Sequence, residues 1–346
     1  MPMAMVNGTR INYLRLAEGE TDDREELVMV HGLATSLAFW YLNFACELAK
    51  DFRVTLFDLR GHGRSQMSAS GYSPANLARD MAGVLDHLGV ADAHVMAHSF
   101  GGVVAMSFAL LETHRVRSLV LADTHIAAAR HSQEWPHRAA IQAILDRLGS
   151  ALDTRDPYFG YRLLTSVAQM QLEGLSVPEA LLEVVKPLTQ RTGGRAAAQW
   201  LRLMQTTTAG AEMMADDGLT LELLRTLEFP ILALYGERSP ARLTGSELLE
   251  VWPHAEFRNV RNAGHFFPMT RSEEVISACR RFWRGNFEDT GRKRRAGEAS
   301  RSYFRSDRFF RDSGGWYFTM RDRGCVGPFE RPEEAHAAFQ SLIEQL

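Results

Sequence analysis

The stretch Ala93 to Gly102, Ala-His-Val-Met-Ala-His-Ser-Phe-Gly-Gly, constrains this chain more than any other. Val95, Met96 and Ala97 form a short apolar run that predicts a buried strand. Val103 to Leu111, mostly apolar and free of Pro and Gly, predicts a buried helix. The serine between them stands on a tight bend from strand into helix. Small residues must flank such a bend so that the two backbones can approach. Ala97 lies two residues before Ser99 and Gly101 two after. The bend lifts the hydroxyl above the sheet edge and aims a helix N-terminus at it, which favours negative charge developing there.

Around this turn, strands and helices alternate. Arg10 to Leu16 alternates apolar and polar residues after Asn7-Gly8 and predicts a hairpin strand at a sheet edge. Leu27 to Val30, Phe52 to Phe57, Ala93 to His98 and Val116 to Ala122 predict buried strands, and Pro230 to Tyr235 and Ala255 to Val260 resume the rhythm later. Ser73-Pro74 opens a helix to Leu88, Ser73 as N-cap and Pro74 as first residue, and Ser272 to Phe282 predicts another. Strands alternating with helices predict an α/β fold with a mostly parallel sheet covered on both faces.

From Ile126 to Leu227 no strand-like run appears, but amphipathic helical segments do, among them His137 to Leu148 and Pro178 to Val185. A helical insertion between two sheet strands predicts a cap over the strand ends, where ligands bind in open α/β sheets. Further on, the chain turns polar and carries Arg292-Lys293-Arg294-Arg295, which reads as a solvated linker. Trp316 to Met320 and Val326 to Phe329 then predict short strands joined by a turn at Arg321 to Gly324, and Pro332 starts a closing helix to Ile343. The expected division is a core (1–125), a helical cap (126–227), the rest of the core (228–285), a linker (286–302) and a small α+β appendage (303–346).

Size and charge narrow the function classes. With 346 residues, 45% of them hydrophobic and 23% charged, the chain has the make-up of a globular protein with a large core. A formal net charge of −3 speaks against a chain-wide nucleic-acid footprint. No apolar run approaches the roughly 20 residues of a membrane span. Met1 to Arg10 lacks a signal pattern, and the three cysteines, Cys46, Cys279 and Cys325, have no framework or metal spacing. A cytoplasmic location is the expectation. Nothing in the sequence specifies an oligomeric state.

Ala97-His98-Ser99-Phe100-Gly101 resembles the G-x-S-x-G nucleophile elbow of the α/β-hydrolase family, with Ala97 at the first glycine. His31-Gly32 after a buried strand, Asp58-x-Arg60-Gly61-His62-Gly63-x-Ser65 and Asn262-Ala263-Gly264-His265 also occur in that family's order, so the resemblance spans Arg10 to Gly285. It implies that Ser99 is a nucleophile and His265 its base, with the backbone N–H groups of Leu33 and Phe100 as oxyanion hole. The family's acid most often follows the strand at Pro230 to Tyr235 as Gly-x-x-Asp, whereas this chain has Gly236-Glu237-Arg238-Ser239. A serine cannot supply the charge. Asp123, ending the strand after the elbow where some members carry their acid, is the first candidate. Glu237 is the alternative, and a site with no functional carboxylate is the third reading.

The resemblance implies a cofactor-independent serine hydrolase that cleaves an ester, thioester or related acyl bond of a small apolar molecule. A serine at the elbow speaks against dehalogenase or epoxide-hydrolase chemistry, which in this fold uses an aspartate nucleophile. C–C bond hydrolysis or acyl transfer on the same residues, and a non-catalytic ligand-binding protein, stay open as alternatives. His62 and Arg64 read as structural residues of a glycine-rich turn, and His98 as packed against the sheet end. His125, His131 and His137 recur every six residues, which does not align them on one helix face for a metal. Gly101-Gly102 has no Walker or dinucleotide pattern around it, so no phosphate-bearing cofactor is expected.

Overall fold

The computed structural model describes residues 1–16, 23–132, 138–147, 150–156, 158–177, 193–287, 309–312, 315–320, 324–329, 331, 334 and 338. The chain divides into two compact units, Met1–Arg294 and Arg295–Leu346.

The first unit is built on one sheet. Its strands are β1 (Met3–Val6), β2 (Thr9–Leu16), β3 (Glu26–Val30), β4 (Arg53–Phe57), β5 (Ala93–His98), β6 (Val116–Ala122), β7 (Ile231–Gly236) and β8 (Glu256–Val260). They form an 8-stranded sheet in the order β1-β2-β4-β3-β5-β6-β7-β8. Asn7 and Gly8, at φ 47° and 69°, make the hairpin turn from β1 to β2. β2 runs antiparallel to β4, and every pair from β4 to β8 is parallel. The C-terminal ends of β3, β5, β6, β7 and β8 therefore open on the same edge.

Side chains divide between the two faces with a period of two. Val28 and Val30 of β3, Val95 and Ala97 of β5, and Leu119 and Leu121 of β6 enter one core. Leu27, Met29, Met96, Val120 and Ala122 enter the other. The first core is covered by α1 (Pro74–His87) and α2 (Phe100–Leu111). Ser73 caps α1 with its hydroxyl, accepting from Asn76 N at 3.3 Å, and Pro74 opens it. α2 is buried from Phe100 to Ala109, which is why its sequence is apolar all round.

Between β6 and β7 the described residues hold helices and no strand: a turn at Ala127–Ser132, α3 (Arg138–Arg147), α4 (Phe159–Leu172), α5 (Gly193–Thr206) and short turns at Ala209–Met213 and Leu221–Leu224. α3 falls within the expected His137 to Leu148 segment; the expected Pro178 to Val185 helix lies outside the described residues. One carboxylate ties this insertion to the sheet domain. Glu212 accepts the N–H groups of Gly71, Tyr72 and Ser73 at 3.1, 2.7 and 2.9 Å.

After β7 come α6 (Arg242–Val251) and, beyond β8, α7 (Ser272–Phe287). α7 runs five residues past its expected end. Trp283, the first of them, is buried and its Nε1–H donates to Ser118 Oγ at 3.1 Å. The second core lies under α7 and a helical stretch whose middle, Tyr41–Ala45, widens to π spacing between Ala38–Trp40 and Cys46–Leu48. Among the described residues, no helix is long and apolar enough to cross a membrane.

The second unit holds a 3-stranded antiparallel sheet of β9 (Phe309–Asp312), β10 (Gly315–Met320) and β11 (Gly324–Phe329), ordered β11-β10-β9. β10 and β11 match the two expected strands, whereas β9 lies outside them. The basic run at Arg292 to Arg295 lies outside the described residues, as does nearly all of the expected closing helix.

Candidate active site

Ser99 leaves β5 with φ 55° and ψ −127°, a strained conformation for a residue with a side chain. The bend is held by backbone bonds. Ser99 N donates to Ala122 O at 3.0 Å, and Gly102 N donates to Ser99 O at 2.9 Å. A Cβ on Gly101 would stand 2.5 Å from His31 O and 2.6 Å from Val30 O, so α2 can approach β3 only through glycine. The first small position tolerates a methyl group, because Ala97 is simply a buried strand residue in the first core.

The three candidate side chains converge on this edge. Ser99 Oγ lies 3.0 Å from His265 Nε2, and His265 Nδ1 lies 2.6 Å from Asp123 Oδ2. An ionised carboxylate only accepts, so Nδ1 carries the ring proton and Nε2 is left to accept from the serine hydroxyl. Asp123 is 0% exposed, whereas Ser99 is half-buried and the His265 side chain is 21% exposed. The relay therefore runs from an open hydroxyl inward to a buried carboxylate.

Asp123 follows β6 directly, in the left-handed region at φ 54°. Its Oδ1 accepts Gly236 N–H at 2.8 Å, while Ser239 Oγ–H donates to Oδ2 beside His265. Glu237 points elsewhere: its Oε2 accepts Asn262 N–H at 2.6 Å, and the imidazole meets Asp123 instead. Ser239 occupies the place where the family most often carries its acid. The ends of β6 and β7 thus deliver side chains to one spot, and a carboxylate from β6 lies next to the hydroxyl from β7.

Histidines outside this relay hold the surrounding loops. His31 Nε2 accepts Leu59 N–H at 3.0 Å, so its Nδ1–H donates to Gly32 O at 2.7 Å, which Thr35 Oγ–H also reaches at 2.7 Å. With that carbonyl pinned, the trans N–H of the same peptide, that of Leu33, points the opposite way. Gly32 lets this loop close on the nucleophile, since a Cβ there would stand 3.0 Å from Ser99 Cβ. Phe100 is the first residue of α2, and its N–H is among those without an intrahelical acceptor. These are the two N–H groups the sequence pointed to.

His98 Nε2–H donates to His265 O at 3.0 Å, and its ring stacks on Phe39 with centroids 4.5 Å apart. Burial first, and then the neighbouring His265 charge, hold His98 well below the ordinary 6.5. It stays neutral and does not compete with His265 for a proton. His62 is buried in its turn, with Nδ1–H donating to Arg60 O at 3.0 Å. Tyr161 of α4 meets Phe100 edge-on at 6.5 Å, which brings the helical insertion to the residue beside the nucleophile.

The model of the alpha/beta hydrolase fold family matches residues 26–272, and this chain belongs to that family. A second family model, that of a domain of unknown function (DUF6316), matches residues 294–346. Over 288 residues the chain is 27% identical to the soluble epoxide hydrolase of Corynebacterium sp. (strain C12), covering 81% of this chain and 96% of that one. RutD of Variovorax paradoxus (strain S110), which carries the provisional name carbamate hydrolase, is 37% identical over 111 residues, 32% of this chain and 42% of that protein. Such matches span less than half of the relative. Among solved structures, the esterase RhEst1 from Rhodococcus sp. ECU1013 superposes with a TM-score of 0.58 at 26% identity, covering 81% of this chain and 97% of that one. The enol-lactonase of Burkholderia xenovorans LB400 shares the fold, with a TM-score of 0.57 at 23% identity over 81% of this chain and 99% of that one.

Proposed function

We infer that this protein is a cofactor-independent serine hydrolase acting on an ester, thioester or related acyl bond of a small apolar molecule. Ser99 is the nucleophile, His265 the general base and then acid, and Asp123 the orienting carboxylate. The N–H groups of Leu33 and Phe100 form the oxyanion hole. The observation that carries this reading is the continuous relay from Ser99 Oγ through His265 to the buried Asp123, at 3.0 and 2.6 Å.

The chemistry follows from the order of those contacts. Ser99 Oγ attacks the acyl carbon as its proton passes to His265 Nε2, and the imidazolium is stabilised by Asp123 at Nδ1. The carbonyl oxygen becomes an oxyanion facing the Leu33 and Phe100 N–H groups, each worth about 10²–10³ in turnover in comparable sites. The His265 proton goes to the leaving group, and water repeats the sequence on the acyl-serine. A hydroxyl rather than a carboxylate at position 99 speaks against the epoxide chemistry in the Corynebacterium relative's name, and the Rhodococcus structure's designation as an esterase supports the ester reading. Residues 126–227 act as a cap, a role supported by the Tyr161–Phe100 contact.

Hydrolysis of p-nitrophenyl esters of increasing acyl length tests the assignment. The wild-type protein is expected to turn over short esters, and Ser99→Ala to abolish turnover. Asp123→Asn is expected to lower kcat by about 10³–10⁴-fold, because it presents the wrong hydrogen-bonding partner to Nδ1. Glu237→Gln is expected to leave kcat within about twofold, having no transition-state contact to lose. The reverse ranking of Asp123→Asn and Glu237→Gln would move the acid to Glu237.

A further inference from the structure

We propose that Ser239 is a positioning residue for the reaction, its hydroxyl holding the Asp123 carboxylate in register with His265 and sharing its negative charge. The proposal rests on the reading of Ser99, His265 and Asp123 given above. Ser239 is 4% exposed, so water does not replace what it donates. Its Oγ accepts Ala241 N–H at 3.1 Å, which directs its single proton to Asp123 Oδ2, the oxygen that His265 Nδ1–H meets at 2.6 Å. Oδ1 is separately fixed by Gly236 N–H at 2.8 Å. One carboxylate oxygen is thus held by the backbone, and the working oxygen by one hydroxyl and the imidazole.

The loop carrying Ser239 is tied to the loop carrying His265. Glu237 N donates to Val260 O at 3.0 Å, and Arg238 N donates to Ala263 O at 2.9 Å. Gly236 allows that approach, since a Cβ there would stand 2.6 Å from Ala263 O. Ser239 N donates to Gly236 O at 2.9 Å and closes the turn on itself. The hydroxyl is therefore presented from a platform fixed relative to the imidazole. Two consequences follow for a chain lacking it. The carboxylate would be less well oriented, slowing the step in which His265 takes the proton. Its charge would also be concentrated on Oδ2, stabilising the imidazolium and making His265 harder to deprotonate.

The test is the pH dependence of p-nitrophenyl acetate hydrolysis by the full chain, with active sites counted by fluorophosphonate labelling so that unfolded protein drops out. Ser239→Ala is expected to lower kcat by about 10- to 100-fold with KM within about twofold, the signature of an interaction felt in the transition state. The acid-side midpoint of kcat/KM is expected to move up by about half a pH unit or more. Ser239→Thr, which keeps the hydroxyl, is expected to bring the midpoint back. A serine that merely fills space would change the active fraction and leave the profile in place. An unmoved midpoint therefore overturns the proposal whatever happens to kcat, and so does a Ser239→Thr profile identical to that of Ser239→Ala. Asp123→Asn separates the two levels. If it leaves turnover intact, the relay reading itself fails; if it abolishes turnover while Ser239→Ala behaves as wild type, only the role of Ser239 fails.

Discussion

Ser99 holds φ 55° and ψ −127°, and Ala34 and Asp123, both near the same edge, hold φ 54°. Such conformations cost a residue with a Cβ about 1–3 kcal/mol each and persist only where the surroundings enforce them. Two strained positions coincide with a candidate nucleophile and a candidate acid, which ties the strain to the chemistry. The consequence is a trade between stability and turnover at one position. Ser99→Gly is expected to be more stable than Ser99→Ala by about 1 kcal/mol, because glycine reaches this conformation without the Cβ clash. Urea unfolding of the two variants, both inactive, checks it; equal midpoints would mean that the bend stores no strain. At this scale the sequence was most informative where the chemistry demands particular atoms. Ser99 and His265 stand in motifs, whereas Asp123 had to be weighed against Glu237. Only coordinates distinguish a carboxylate facing an imidazole from one accepting the Asn262 N–H.

Strands and helices were legible in proportion to their burial. β3, β5 and β6 are mostly apolar and, Arg117 apart, buried along their length because both faces of the sheet are covered, and their expected bounds lie within a residue or so of those observed. β1 lies outside the expected strands: it is apolar at every position although only Ala4 and Val6 are buried, so its sequence lacks the alternation of a half-buried strand. α4 and α5 are not among the expected helical segments, although their region is expected to be helical. Their buried stripes, such as Phe159, Leu163 and Val167 on α4, are sparse and show helical spacing only once the ends are known. The insertion they belong to is fastened by Glu212. Burial, the largest single influence on its carboxyl, acts to raise it, but the bonds from the Thr208 hydroxyl and then from the N–H groups of Gly71, Ser73 and Tyr72 hold it below the ordinary 4.5. Glu212→Ala leaves three N–H groups without their acceptor and is expected to cost about 1–3 kcal/mol. Limited proteolysis is expected to nick residues 126–227 of the variant faster than those of the wild type; unchanged cleavage would show that Glu212 does not fasten the insertion.

The first unit as a whole carries a cluster of neutral, buried imidazoles under the sheet edge that holds the candidate site. Burial, the largest cause, holds His31 and His62 down to about 4, and their rings lie 5.5 Å apart. The unfolded chain titrates these groups near 6.5, above the folded values, so it binds protons first as pH falls. The stability they contribute is complete above about pH 6.5 and is lost as pH falls through the window down to about 4. Each ring can contribute a slope of up to about 1.4 kcal/mol per pH unit there. Urea midpoints are expected to fall between pH 7 and pH 5, and His62→Gln to flatten that fall. A wild-type profile flat over this range would contradict the neutral, buried state of both rings.

Every candidate site residue lies in the first unit, Met1–Arg294, and the central claim is that its serine is chemically activated by the relay behind it. Mass spectrometry of the intact protein after treatment with a fluorophosphonate, followed by peptide mapping, tests that most directly. Stoichiometric phosphonylation at Ser99 is expected, abolished in Ser99→Ala and slowed by orders of magnitude in His265→Gln. Folded wild-type protein that stays unlabelled, or that is labelled at another residue, would contradict it.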